Sequence, residues 1–255
     1  HLQKPGKENV LAVKVRNEGR NSRWYSGSGI YRNVDLLVMH PVHIPVWGQF
    51  ITATVEDGNK AAVSIVTSVV NETDSEKVIE IVTTIYSPDG IPAGKTESSL
   101  RIPAGEAVET SQAVGVEDPR LWSPDSPVMY QAVTDILLNG KATDRHTTTF
   151  GIRTIEFSAD KGFLLNGQPL LLKGGCLHHD NGPLGAAAID RAEERRVELM
   201  KQFGFNAIRT AHNPPSASFL EACDRLGMLV IDELFDQWQL PKNADDYHLW
   251  FDDWH

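Results

Sequence analysis

Three short polar strings toward the C-terminus hold the side chains best suited to binding a ligand: His178-His179-Asp180, His212-Asn213 and Asp232-Glu233. A neutral imidazole donates from one ring nitrogen and accepts at the other, which suits uncharged hydroxyl groups, and an ionised carboxylate accepts two of them. Asp232 and Glu233 are adjacent, and on an extended backbone adjacent side chains point to opposite faces. One of them is expected to face the ligand while the other pairs with an arginine or a backbone donor, and Arg209 is the obvious arginine. Zinc is the sharper alternative for clustered histidines, but His178 and His179 diverge as neighbours and no HxxxH helix supplies a matching pair. Neither a metal nor another cofactor is expected. A single histidine at a strand end is usually a satisfied structural group, so the case for a site rests on three strings converging.

The convergence comes from the elements around them. After Phe157 the pattern reads strand, helix, strand, helix, strand. Gly162 to Gly167 predicts a small hairpin. Leu170 to Gly174 predicts a buried strand, because a continuous apolar run bounded by glycine suits a strand covered on both faces. A helix is expected from a capping Asp190 to about Phe203, with Ala192, Val197, Leu199, Met200 and Phe203 as its apolar stripe. Glu193, Glu194, Arg195, Arg196 and Glu198 are expected to face mostly water, and Gly204 to end the helix in a left-handed turn. Asn206 to Ala211 is the next strand, Ser216 to Leu226 the next helix with Gly227 as its stop, and Met228 to Asp232 the third strand. Strands alternating with helices imply a parallel sheet with right-handed crossovers. In α/β barrels the chemistry sits at the C-terminal strand ends, where all three polar strings fall. A dinucleotide-binding sheet is disfavoured, since Gly174-Gly175-Cys176-Leu177-His178 lacks the GxGxxG spacing.

Upstream the grammar is different. From Val10 to about Phe157 apolar and polar residues alternate in short runs such as Leu11 to Val15, Val34 to Val38, Ala62 to Val70, Val78 to Tyr86 and Tyr130 to Leu138. Glu56-Asp57-Gly58-Asn59, Ser87-Pro88-Asp89-Gly90 and Asn139-Gly140 supply turn residues between them. Some seven strands over Val46 to Phe150 predict an antiparallel sandwich of immunoglobulin size. His40 to Pro45, with two prolines, reads as a linker, so the strands before it belong to a separate and incomplete β element. The chain has 255 residues, 41% of them hydrophobic, and a net charge of -10 without clustered Lys and Arg, which excludes nucleic acid as a partner. No apolar run approaches the roughly 20 residues of a membrane span. Cys176 and Cys223 are too few for a disulfide framework and are expected to be free packing thiols. Without a visible leader the compartment stays open, with the periplasm or the exterior set slightly ahead of the cytoplasm.

These strings together resemble the family 2 glycoside hydrolases of the β-galactosidase type. SRWYSGSGIYRNVDL, Ser22 to Leu36, is similar to the end of their sugar-binding jelly-roll domain, and Val46 to Phe150, with Pro119-Arg120-Leu121-Trp122-Ser123-Pro124, to their immunoglobulin-like second domain. FGIRTIEF, LLNGQPLLLKGGCLHHD, FNAIRTAHNPPS and ACDRLGMLVIDELFDQW are similar to the opening of their catalytic barrel. The resemblance implies a multidomain chain: 1-44 as the end of a β jelly-roll, 45-151 as an immunoglobulin-like β-sandwich and 152-255 as the first βαβαβ part of a TIM (β/α)8 barrel. RWYSGSGIYR favours the β-galactosidase-like branch over the β-glucuronidase and β-mannosidase branches. The implied partner is a carbohydrate substrate, with His178 and His212 as sugar-binding residues, Asp180, Asn213 and Glu233 as further candidates, and Asn21 or Arg23 on a loop reaching into the sugar pocket. Many relatives have Asn where Cys176 stands, and those with a magnesium site carry an acidic residue and a His where Gln237-Trp238-Gln239 stands, which leaves a metal unsupported.

The family's reaction is retaining hydrolysis, in which one carboxylic acid protonates the leaving oxygen while a carboxylate about 5 Å away attacks the anomeric carbon. The resemblance puts both glutamates after the fourth and seventh barrel strands, beyond His255, so no catalytic residue is assigned here and the chain is expected to be inactive alone. An unpaired edge of the parallel sheet predicts association, as a homo-oligomer for example. The alternative reading is a non-catalytic carbohydrate-binding module, with Trp24, Tyr25 and Tyr31 stacking on sugars. A pure adhesion domain would leave the histidines and carboxylates after Lys173 without a purpose.

Overall fold

The computed structural model describes residues 6–16, 19, 21, 29–56 and 59–254. Alternation of buried and exposed residues makes the sandwich. Along β3 (Lys60–Asn71) Ala61, Val63, Ile65 and Val69 are buried while their neighbours turn outward, so one face packs and the other meets water. β3 pairs antiparallel with β6 (Ala107–Glu117) on one side, and on the other with β2 (Gln49–Glu56) and the short β1 (Val42–His43). The facing sheet runs β5 (Pro92–Ile102), β4 (Lys77–Tyr86), β7 (Tyr130–Leu138), β8 (Lys141–Phe150). The strands from β2 to β8 are the predicted set.

The sandwich core falls into two apolar clusters, one around Ile65, Ile85, Val114 and Tyr130 and one around Val42, Ile79, Ile81 and Ile136. Buried polar groups that satisfy one another accompany them. Thr83 Oγ1 donates to Gln112 Oε1 at 2.7 Å, Gln112 Nε2 to the Ile81 carbonyl at 3.1 Å, and Gln49 Nε2 to Thr134 Oγ1 at 2.8 Å. Buried polar atoms without such partners would each cost about 1–3 kcal/mol.

The first segment departs from expectation. Leu11 to Val15 and Val34 to Val38 were predicted as strands; both lie outside any sheet, with Leu11 at 78% and Val38 at 88% exposure. Their alternation is that of strands, but a strand needs a neighbour to accept its hydrogen bonds, and none of the described residues supplies one. Arg23, Trp24 and Tyr25 lie outside the described residues, as do Asp57 and Gly58 of one predicted turn; Asn21 is half-buried.

A small antiparallel sheet of β9 (Ile155–Ser158), β10 (Gly162–Leu165) and β11 (Gln168–Pro169) leads into the barrel part, where β12 (Gly174–Leu177), β13 (Ala207–Thr210) and β14 (Leu229–Ile231) are parallel and adjacent in that order. Helices α1 (Asp190–Gln202) and α2 (Ala217–Leu226) connect them. The first parallel strand thus starts where its predicted run ends. Leu171 is 75% exposed rather than buried, and Leu170 packs beneath the sheet near Trp122. Glycine is what the strand position requires, since a Cβ on Gly174 would lie 2.8 Å from the Ala207 carbonyl oxygen. Ile189, not Asp190, holds the cap position of α1, and Phe203, expected in the apolar stripe, is 75% exposed. Ser216 caps α2 by accepting from the Phe219 amide, and Gly227 ends it with φ 74°.

The sandwich is clamped to the start of the parallel strands through the loop between β6 and β7. Trp122 is 1% exposed, packs with Leu165, Ala207 and Leu229, and donates from Nε1 to the Asp224 carbonyl at 2.7 Å. The Arg153 guanidinium lies 4.7 Å from its ring centroid, and burial holds that guanidinium below its ordinary pKa despite the charge of Asp224. Lys201 Nζ donates to the carbonyls of Pro124 at 2.6 Å and Gly227 at 3.1 Å. No helix among the described residues is long and apolar enough to cross a membrane.

Candidate sugar-binding site

The three polar strings leave the C-terminal ends of β12, β13 and β14 and meet. The rings of His178 and His212 stand edge to face with centroids 5.3 Å apart. His212 Nδ1 lies 2.7 Å from one Glu233 oxygen, and Arg209 Nε donates to the other. Parallel pairing sets the register: Cys176 faces Arg209, and Arg209 faces Ile231, so Arg209 sits between the strings that carry His178 and Glu233. Asp232 turns the other way, accepting from Thr210 Oγ1 at 3.1 Å. The adjacent carboxylates diverge as expected, but Arg209 takes Glu233, the one beside His212, and Asp232 pairs with a threonine hydroxyl instead of an arginine.

Electrostatics follow from those contacts. Burial alone would raise the Glu233 carboxyl, but the hydrogen bonds and charge from His212 and Arg209 outweigh it and hold the group below its ordinary value. It is an anion near neutral pH, able to accept hydrogen bonds and unable to act as an acid. Burial, with Arg32 adding to it, lowers the His179 pKa, so that ring is neutral near pH 7. His179 meets the Tyr31 ring edge-on at 6.0 Å, and Arg32 Nη2 donates to the Pro214 carbonyl at 2.5 Å. Tyr31 and Arg32 thus dock the first segment onto the loops after β12 and β13.

The remaining candidates are placed differently. Asp180 is exposed, and one carboxylate oxygen accepts from the Gly182 amide at 2.9 Å, closing the tight turn that follows. Asn213 is exposed at the rim of a small recess with Leu177, His178, His179 and Glu193. Cys176 and Cys223 are both free thiols as expected; Cys223 is buried, but Cys176 is exposed rather than packed and lies 3.4 Å from Arg209 Nη1.

Beside His212 opens a cleft of about 420 Å³ lined by Arg209, Asp232, Glu233, Phe235, Asp236, Trp238 and others. Asp236 Oδ1 lies 3.7 Å from His212 Nε2 and 3.4 Å from Lys242 Nζ. Trp238 is 54% exposed, its edge supported by Phe235 and Phe251. Asp236 carried a usable signal, being a third carboxylate just past the same strand, whereas nothing local marked Lys242. Glu193 was expected at the surface and is 1% exposed, which corrects the reading of α1.

Comparison with known proteins adds to this geometry. The sequence profile for "Glycosyl hydrolases family 2" matches residues 42–153 and that for "Glycosyl hydrolases family 2, TIM barrel domain" matches residues 157–239. The beta-galactosidase BoGH2A of Bacteroides ovatus is 44% identical over 97% of the chain, which spans 29% of that protein. A crystal structure of a glycosyl hydrolase family 2 member from Bacteroides cellulosilyticus superposes with a TM-score of 0.87 at 46% identity, covering 93% of this chain and 31% of that one. The Bacteroides uniformis beta-glucuronidase superposes with a TM-score of 0.74 at 31% identity over 81% of this chain and 26% of its own. The chain thus spans less than a third of the length of these relatives.

Proposed function

Because the chain belongs to family 2 of the glycosyl hydrolases, we propose that it carries the sugar-recognition edge of a retaining β-glycosidase whose substrate is a terminal β-galactoside. The observation that carries this reading is the cluster of His178, His212 and Glu233 at the ends of three neighbouring parallel strands, with Glu233 kept ionised by Arg209. Two imidazoles and a fixed carboxylate offer donors and acceptors to several hydroxyls of one sugar ring. The half-exposed Trp238 at the same cleft adds an apolar face for the C–H side of a pyranose.

Charge favours a neutral sugar over a uronic acid. The carboxylates of Glu233 and Asp236 lie at the cleft, and the two cations of its lining are engaged by them, Arg209 by Glu233 and Lys242 by Asp236. A glucuronide carboxylate would have to displace Glu233 or Asp236 to pair with either cation. Hydrolysis itself needs a protonated carboxyl about 5 Å from a nucleophilic carboxylate. Held as an anion, Glu233 is unsuited to the first role, and with its oxygens engaged by His212 and Arg209 it is assigned to binding; the family resemblance puts the acid and the nucleophile after the fourth and seventh barrel strands, and this chain alone is expected to be inactive.

Calorimetric titration of the chain with methyl β-D-galactopyranoside and methyl β-D-glucuronide tests the reading, alongside incubation with an aryl β-galactoside. Binding of the galactoside that weakens at least ten-fold in His212→Ala, with no turnover above buffer, is the expected result. Preference for the glucuronide would refute the galactoside assignment. Turnover abolished by Glu233→Gln would refute the assignment of catalysis to later strands.

A further inference from the structure

A carboxylate lies buried behind the histidines, and the sugar-binding proposal gives it no part. Glu193 is on the first turn of α1 with its side chain 2% exposed. One oxygen accepts from Asn181 Nδ2 at 2.8 Å and Arg196 Nη1 at 3.3 Å; the other accepts from Ser216 Oγ at 3.0 Å. Arg196 in turn donates from Nη2 to the carbonyl of His178 and rests over the Phe219 ring at 5.7 Å. Asn181 also donates to the Ala187 carbonyl at 3.1 Å.

The partners come from two separate loops. Asn181 and the His178 carbonyl belong to the loop after β12, while Ser216 ends the loop after β13 that carries His212. The Glu193–Arg196 pair is therefore a bridge between the segment that aims His178 and the segment that aims His212. A charge so deeply buried is costly unless fully paired, and removing one partner of such a pair exposes the other to the same cost. On the surface of α1 the same two residues would form an ordinary i,i+3 pair; here the pair closes on backbone and side-chain groups that are distant in sequence.

We infer that Glu193 and Arg196 are positioning residues for the sugar-binding histidines, fixing the distance between His178 and His212 by tying their two loops to one buried ion pair. This rests on the proposed role of those histidines in sugar binding. Its physical part, the spacing of the rings, stands independently of that role.

The test uses the whole chain and the variants Glu193→Gln and Glu193→Ala. Three quantities are read: the nuclear Overhauser contact between the His178 and His212 ring protons, the affinity for methyl β-D-galactopyranoside, and the melting temperature. Glu193→Ala should abolish the ring contact and weaken the sugar at least ten-fold. Glu193→Gln keeps one acceptor, for Asn181 or for Ser216 but not both, and loses the ion pair; it should retain a weakened contact with affinity lowered about three-fold. A lower melting temperature with wild-type ring contact and affinity in both would overturn the inference and leave only a structural pair. If neither variant folds, Asn181→Ala, which removes one amide and its bonds to Glu193 and the Ala187 carbonyl while leaving the ion pair, decides by the same contact. A wild-type chain that binds no galactoside defeats the sugar reading, while the ring contact still judges the positioning.

Discussion

Replacing Glu233 by Gln should destabilise the chain by an amount that depends on pH in a calculable way. The Arg209 pair is intermediate in exposure, with side chains 43% and 20% accessible. Exposed pairs contribute about 0.2–1 kcal/mol, and breaking buried ones costs about 3–5 kcal/mol. With the Arg209 guanidinium open to solvent, the charge that Gln lacks is expected to contribute at the exposed end of that range, up to about 1 kcal/mol, since the Gln amide retains much of the shape and one acceptor for His212. The sign follows from linkage. Glu233 is more acidic folded than unfolded. Its contribution is thus complete above the unfolded-chain value of about 4.3 and is lost as the pH falls through its lower folded value. Urea denaturation of wild type and variant at intervals from pH 7 to pH 3 measures the difference directly. It should be near its maximum above pH 5 and shrink as the pH falls below the unfolded-chain value, as wild-type Glu233 takes up a proton and comes to resemble Gln. A difference that stays constant across the range, or is absent at pH 7, would refute the account of Glu233 as an ion held by Arg209.

Other outcomes follow from the clamp and the thiols. Gly227→Ala puts a Cβ 2.3 Å from the Pro124 carbonyl oxygen at a residue with φ +74°; the backbone conformation alone costs about 1–2 kcal/mol, so denaturation should register at least that loss. Trp122→Phe leaves the Asp224 carbonyl without its indole donor and should cost about 1–3 kcal/mol by the same measurement, with galactoside affinity unchanged. Burial pushes the Cys223 thiol up to about 12, whereas Cys176 is exposed. Titration with an aromatic disulfide reagent should therefore count one fast thiol in the native chain and a second only after unfolding.

The sandwich and the order of barrel elements were legible because burial there is periodic in sequence. β3 alternates along its length, Ser216 and Gly227 bracket α2 as a cap and a left-handed stop, and the polar strings follow strands whose apolar runs are short and bounded. The exact place of β12 was not legible, because Leu170 to Leu172 is the more apolar stretch and what selects Gly174 is close approach to Ala207, a residue far along the chain. Glu193 was hidden for the same reason. Its charge and its neighbours on α1 read as a solvated face, and the partners that join Arg196 in making burial tolerable, Asn181 and Ser216, both lie outside the helix. In the first segment periodicity misled in the opposite direction, since alternation at Leu11 to Val15 specifies a strand only where another strand is present to pair with it.

The two ends of the parallel strands carry different duties, and the sequence separates them. Trp122, Pro124 and Lys201 hold the N-terminal side, where Ala207 and Leu229 begin their strands and Gly227 admits the sandwich loop at van der Waals distance. His178, His212 and Glu233 lie past the other end, fixed by side chains rather than by apolar packing. Packing tolerates little change of volume, whereas a hydrogen-bonded rim can exchange a donor or acceptor while the sheet beneath it stays in place. Relatives with the same framework and different sugars, a galactosidase and a glucuronidase among them, are what that separation permits. On the proposed reading, the rim and the cleft beside it are where a different sugar would ask for different side chains, and Asp236, Trp238 and Lys242 line that cleft.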